Sequence, residues 1–142
     1  VMTGIAEGLA ALHAKGIICR ELSPRLVLLR EREDRPVLMD LELAKLTDGR
    51  PTVAPDEWPD DPYRALEVGA DAPIDQRVDI YSWGRLFVHA AEGALPDRGC
   101  EQLPRADIPD AVKRLVLKCV APPRSKRPSG MNEILAVMKA WS

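Results

Sequence analysis

The chain is predicted to be mainly α with one small β-hairpin, and three patterns point there. Apolar residues recur at helical spacing in several separate stretches. Two short branched-apolar runs flank a charged turn early in the chain. Proline and glycine concentrate between these stretches rather than within them.

The first helical stretch covers residues 1 to about 15, where Val1, Ile5, Leu9 and Leu12 share a face and Gly16 follows as a stop. The runs Val27-Leu28-Leu29 and Val37-Leu38-Met39 make the hairpin, with the charged stretch 30–35 as its turn. Residues 47–62 hold Pro51, Pro55, Pro59 and Pro62 among acidic residues, a density that excludes regular helix and places a long surface loop here. A second helix spans 75–92. Its Val78, Tyr81, Trp83, Leu86 and Phe87 leave little polar face, so it is buried on most sides. Residues 93–109 return to loop, with Gly93, Pro96, Gly99, Pro104 and Pro109. A third helix runs from about 110 to 120, with Val112, Leu115, Val116 and Cys119 on one face, and Pro122 and Pro123 end it. Ser129 or Asn132 caps a last helix whose apolar residues are Ile134, Leu135, Val137, Met138 and Trp141.

Composition bounds the function. A chain of 142 residues fits one domain and buries about two-thirds of its unfolded surface, enough for a real core. The 46% hydrophobic content argues against disorder. With 20 Lys and Arg against 22 Asp and Glu, the net charge of -2 provides no field for nucleic acid or an anionic membrane. No apolar run is long enough to cross a bilayer, and no secretory leader opens the chain. Cys19, Cys100 and Cys119 are odd in number and widely spaced, which fits reduced thiols in the cytoplasm. With His13 and His89 they match no zinc spacing. Val1 rather than methionine opens the sequence, as in a domain excised from a longer protein, and the abundance of Ala, Arg, Leu and Pro fits a GC-rich bacterial source.

Short words of sequence lie along this frame. Cys19-Arg20-Glu21-Leu22-Ser23-Pro24-Arg25-Leu26 precedes the first hairpin strand, and Met39-Asp40-Leu41-Glu42-Leu43-Ala44-Lys45-Leu46 follows the second. Tyr63-Arg64-Ala65-Leu66-Glu67 comes after the long loop, Asp79-Ile80-Tyr81-Ser82-Trp83-Gly84 opens the buried helix, and Arg127-Pro128-Ser129 precedes the last one. In this order and spacing they resemble the C-terminal lobe of a eukaryotic-type protein kinase: its H-R-D-L-K-P-x-N loop, D-F-G, A-P-E, D-x-Y-S-x-G and R-P-[S/T]. The resemblance spans almost the whole chain. The family's N-terminal lobe, with its glycine-rich loop, strand lysine and helix glutamate, has no counterpart in these residues.

The departures fall on the chemistry. The family's catalytic aspartate is Glu21, one methylene longer, which shifts its oxygen by about 1 Å, and such a shift can cost about a hundredfold. The loop lysine is Ser23 and the metal-holding asparagine is Leu26, which offers no oxygen to a hard cation. Asp40 keeps the D-F-G carboxylate, but its glycine is Glu42. Asp40 then reads as a turn-capping carboxylate more readily than as a metal ligand. The resemblance gives Asp79 the role of accepting hydrogen bonds from the catalytic-loop backbone. It pairs Glu67 with Arg127, an extra residue near Pro123 leaving a neighbouring basic residue as the alternative. Arg20 would pair with an acidic residue of the long loop. The family's docking helix is reduced or absent at 93–107, which puts peptide docking of the usual kind in doubt.

Scaffold kept and chemistry eroded imply a pseudokinase: not an enzyme, holding no cofactor, and serving as a scaffold that binds another protein or another domain of its parent. Leu26, Leu28 and Leu41 would form its exposed apolar docking face, with Trp58 as a further anchor. The alternative is a weak or atypical Ser/Thr kinase that uses Glu21 and Asp40 and whose N-lobe lies outside this chain. A nucleotide sensor without turnover is a third reading.

Overall fold

The structure is a computed structural model, and it describes residues 1–20, 22–24, 27–30, 33–38, 45–46, 62–68 and 74–141. Among these the chain is mainly helical. Helix α1 (Met2–Ala14) buries Ile5, Ala6 and Leu9. It ends where Gly16 turns to φ +74°, a left-handed conformation that glycine adopts without a Cβ clash. Strand β1 (Ile17–Ile18) follows, then β2 (Val27–Arg30) and β3 (Glu33–Leu38). The last two form an antiparallel hairpin in the register Val27 to Leu38, with an irregularity between Leu29 and Arg30. The strands therefore run into the charged stretch that the sequence assigns wholly to a turn. Arg30 and Glu33 pair with each other. Strand β4 (Lys45–Leu46) pairs antiparallel with β1, a second two-stranded sheet that runs this short give no means of reading from sequence. The long loop expected over 47–62 lies outside the described residues, except Pro62.

Helix α2 (Arg77–Glu92) is the axis of the fold. Every residue from Val78 to Val88 is buried, because its sequence has almost no polar face to turn outward. Asp75 Oδ1 accepts the Arg77 amide at 2.9 Å at its start. At its end Gly93, at φ +76°, returns its N–H to His89 O. Trp83 packs on Phe87, with ring centroids 5.5 Å apart, and donates its indole N–H to Met2 O at 3.0 Å. The buried Trp83 thus has a partner for its one polar atom.

Residues 93–109 contain no helix, and α3 (Asp110–Cys119) follows them, with Val112, Leu115, Val116 and Cys119 buried. Pro122 and Pro123 stop it, and a single 3-10 turn, Arg124–Lys126, leads onward. Helix α4 (Met131–Trp141) buries Met131, Ile134 and Met138, while Trp141 stays 43% exposed beside Phe87. One apolar core joins α1, α2, α3 and α4. A smaller cluster of Ile18, Ala65, Val68, Val78, Tyr81 and Val120 seats residues 62–68 against α2. Among the described residues, no helix is long and apolar enough to cross a membrane.

A close approach between α2 and the end of α3 falls at Gly84. A Cβ there would meet Cys119 Cβ and Val120 Cγ1, each at 2.8 Å, so α2 and α3 touch only because the side chain is a hydrogen. Gly84→Ala is expected to lower stability by about 1–3 kcal/mol in urea unfolding. Gly130→Ala, where the added methyl meets open space, should stay within about 0.5 kcal/mol of the parent.

Candidate functional site

The site is built on the first turn of α2. Asp79 is fully buried there, and an ionised carboxylate is costly in such a place unless its oxygens are met by donors. Three donors meet it. Oδ1 accepts the Arg20 amide at 2.7 Å, and Oδ2 accepts the Cys19 amide at 2.8 Å. His13 Nε2, from the last turn of α1, lies 2.8 Å from the same Oδ2. Arg20 takes φ +66°, a left-handed backbone that costs a side-chain-bearing residue about 1–2 kcal/mol. Charge-assisted hydrogen bonds from two consecutive amides offset that cost. The turn leading to position 21 is therefore held by α2, some sixty residues later in the chain.

The neighbours of this turn are buried as well. Cys19 and Leu22 belong to the core. Arg20 is 3% exposed, and burial pulls its guanidinium below the ordinary value while the Asp79 carboxylate pulls the other way. Ser23 is buried, and its Oγ has no hydrogen-bond partner among the described residues. Glu21, Leu26, Asp40, Leu41, Glu42 and Trp58 lie outside the described residues, as do the acidic loop residues expected to face Arg20. Leu28 is in β2. Its proposed place on a docking face has no described side-chain environment.

A second constellation fixes residues 62–68. Glu67 meets Arg127, sixty positions away, through Oε1 to Nη1 at 2.5 Å and Oε2 to Nη2 at 3.2 Å. The Arg127 side chain is 1% exposed. Its Nε donates to Ala121 O at 2.8 Å, Nη1 to Arg77 O at 3.2 Å and Nη2 to Pro122 O at 2.9 Å. The guanidinium also stands 4.9 Å over the Tyr81 ring, and burial raises the Tyr81 hydroxyl above its usual value. One arginine fork thus ties 62–68, the start of α2 and the end of α3 to the approach of α4.

Sequence reasoning missed three partners. The sequence excludes His13 from a zinc site and gives it no other role, although its place one turn before Gly16 puts it beside whatever follows the helix. Tyr63 and His89 stack, and Tyr63 OH lies 2.5 Å from His89 Nδ1. Arg85 and Glu101 form a buried ion pair. An arginine in the middle of a helix with little polar face is the available signal, since such a charge needs a partner. Among the described residues, no three His, Cys, Asp or Glu side chains gather as a metal group. A cavity of about 460 Å³ opens between Met2, Phe87, Met138 and Trp141, and neither Cys19 nor Arg20 lines it.

A buried aspartate that holds the Cys19 and Arg20 amides, and a glutamate–arginine lock on residues 62–68, fasten this helical scaffold. Residues 1–139 match the protein kinase domain family, and the chain belongs to that family. It is 32% identical over 143 residues to the serine/threonine-protein kinase PkaA of Streptomyces coelicolor, covering 90% of this chain and 26% of that protein. Serine/threonine-protein kinase pkn2 of Myxococcus xanthus is 29% identical over 164 residues, covering 96% of this chain and 19% of that protein. PkaB of Streptomyces coelicolor is 30% identical over 141 residues, covering 85% and 34%. The chain thus spans from 19% to 34% of the length of these relatives.

These relatives correct the expectation of a non-enzyme, because each is named a serine/threonine-protein kinase, which is an enzyme. That expectation took Glu21, Ser23 and Leu26 together as abolishing transfer. The loss of one positioning group lowers a rate by a finite factor, and such losses do not simply add.

The Glu67–Arg127 lock gives a direct test of the scaffold. Arg127→Ala removes every partner of the Glu67 carboxylate described above and is expected to cost about 3 kcal/mol or more in urea unfolding. Arg127→Lys should recover less than half of that loss, because a single ammonium cannot reproduce the planar fork.

Proposed function

We propose that this chain is the C-terminal lobe of a serine/threonine protein kinase, which transfers the terminal phosphate of ATP to a protein and acts in the cytoplasm. In this reading the glycine-rich loop and strand lysine stand on a lobe outside this sequence. The observation that carries it is the Asp79 clamp. A buried carboxylate holds the amides of Cys19 and Arg20, and with them the left-handed turn that leads into position 21. Such preorganisation matters in phosphoryl transfer, where positioning and charge stabilisation supply nearly all of the acceleration. The names of the relatives support the same reading.

Glu21 is the residue that would orient the acceptor hydroxyl and take its proton, and its pairing role follows from the resemblance of 19–26 to the catalytic loop. The donor set retains one hard oxygen ligand from the D-F-G motif, the Asp40 carboxylate, which suits Mg²⁺, and Leu26 adds none. Mg²⁺, when bound, neutralises phosphate charge. Ser23 contributes no cation where the family has a lysine, so a slow enzyme is expected. Its partners are protein substrates or another domain of the same protein, with no role for nucleic acid or membrane.

The test is ATP-dependent labelling of dephosphorylated casein by the protein in its natural full length. Glu21→Ala is expected to lower kcat by about a hundredfold or more, and Asp40→Ala to lower it at least as much. Parent protein that transfers nothing above the blank, or a Glu21→Ala variant with the parent's rate, contradicts the kinase reading.

A further inference from the structure

Arg85 is 1% exposed in the middle of α2, and neither of its two named acceptors lies on that helix. Nε donates to Pro62 O at 3.1 Å, and Nη1 donates to Glu101 Oε1 at 2.9 Å. The two ion-paired side chains are only 2% and 4% exposed. The other oxygen of Glu101 accepts the Gly99 amide at 3.0 Å, and Gly99 is at φ +87°. Cys100 N returns to Asp97 O at 3.0 Å, so residues 97–101 form a tight turn around the Glu101 carboxylate. From that turn Arg98 Nη2 donates to Arg64 O at 2.9 Å. Two backbone carbonyls of 62–68 are therefore held by guanidinium groups, one from α2 and one from the loop 93–109.

The held segment adjoins the clamped turn. Ala65 and Val68 pack in one cluster with Ile18, the residue before Cys19. On its outer side Leu66 is 64% exposed, beside a small cavity of about 130 Å³ lined also by Tyr81, Arg98 and Arg127. A buried ion pair is a poor stabiliser, since an apolar pair of equal volume is often as stable or more so. Its yield is a fixed geometry, and here what it fixes is the backbone of 62–68.

We propose that Arg85, Glu101 and Arg98 form a brace that positions residues 62–68 for docking of the protein substrate, which makes them positioning residues for the transfer. This rests on the kinase reading above. The loop 93–109 thereby does from outside, through two arginine contacts, what a docking helix would do by packing. None of the three brace residues is among the hydrogen-bond partners named for Asp79, so their loss is expected to act on the protein substrate and not on ATP.

The experiment uses the full-length protein with ATP and dephosphorylated casein, together with hydrogen exchange of the 62–68 amides. Glu101→Gln and Arg98→Ala are expected to raise KM for casein about tenfold, to leave KM for ATP unchanged, and to speed exchange across 62–68. Arg85→Lys keeps the charge but cannot reach Pro62 O and Glu101 together, so it should move both readouts the same way. Exchange across 62–68 that matches the parent overturns the brace whether or not the protein is active. KM values for casein and ATP that rise together, or a casein KM that does not move, overturn the docking role. Parent protein without transferase activity sinks the kinase reading and the docking role with it, and the exchange result still decides the brace.

Discussion

A single buried carboxylate organises this fold. The Asp79 carboxylate is buried in α2 and its oxygens need partners, which come from two other parts of the chain. Two are consecutive backbone amides of the turn after β1, and one is the imidazole that ends α1. Helix, turn and helix are thus locked to one point. The left-handed residue Arg20 persists because the turn it makes is the one that aims both amides at the carboxylate.

Around that point the apolar core acts as a rigid mount. Helix α2 is buried on nearly every side, and the contact at Gly84 brings α3 against it with no space to spare. Charged groups then fasten the loops to this mount. Arg127 secures 62–68 through Glu67, and Arg85 with Arg98 secures the same segment at Pro62 and Arg64. Loops that carry chemistry on a packed scaffold are the usual division of labour in enzymes. Here the loops are held by ionic and backbone hydrogen bonds, which set direction more strictly than apolar packing does.

The helices and the hairpin were legible in the sequence because each rests on local periodicity bounded by glycine or proline. Gly16, Gly93 and Pro122 mark ends that the structure also shows. Two contacts of the site were readable as well, those of Asp79 with the loop amides and of Glu67 with Arg127, but only through resemblance to a family. Nothing local links residues sixty positions apart. The β1–β4 pair escaped because two-residue strands carry no period. His13 and the Arg85–Glu101 pair escaped for a different reason: a titratable residue on an apolar stretch announces that it needs a partner without saying which. The reading of the substitutions at 21, 23 and 26 as loss of enzyme identity went astray by treating graded costs as a switch.

The clamp explains how a chain with altered catalytic words keeps a kinase scaffold, since Asp79 reads backbone amides and is indifferent to the side chains at 21 and 23. Hydrogen exchange at the Cys19 and Arg20 amides, compared between the parent and Asp79→Asn, tests this most directly. The account predicts that in the parent both amides exchange only through global unfolding, and that in Asp79→Asn they exchange by local opening while amides in the middle of α2 stay protected. Parent amides at 19 and 20 that exchange as fast as exposed loop positions would contradict it.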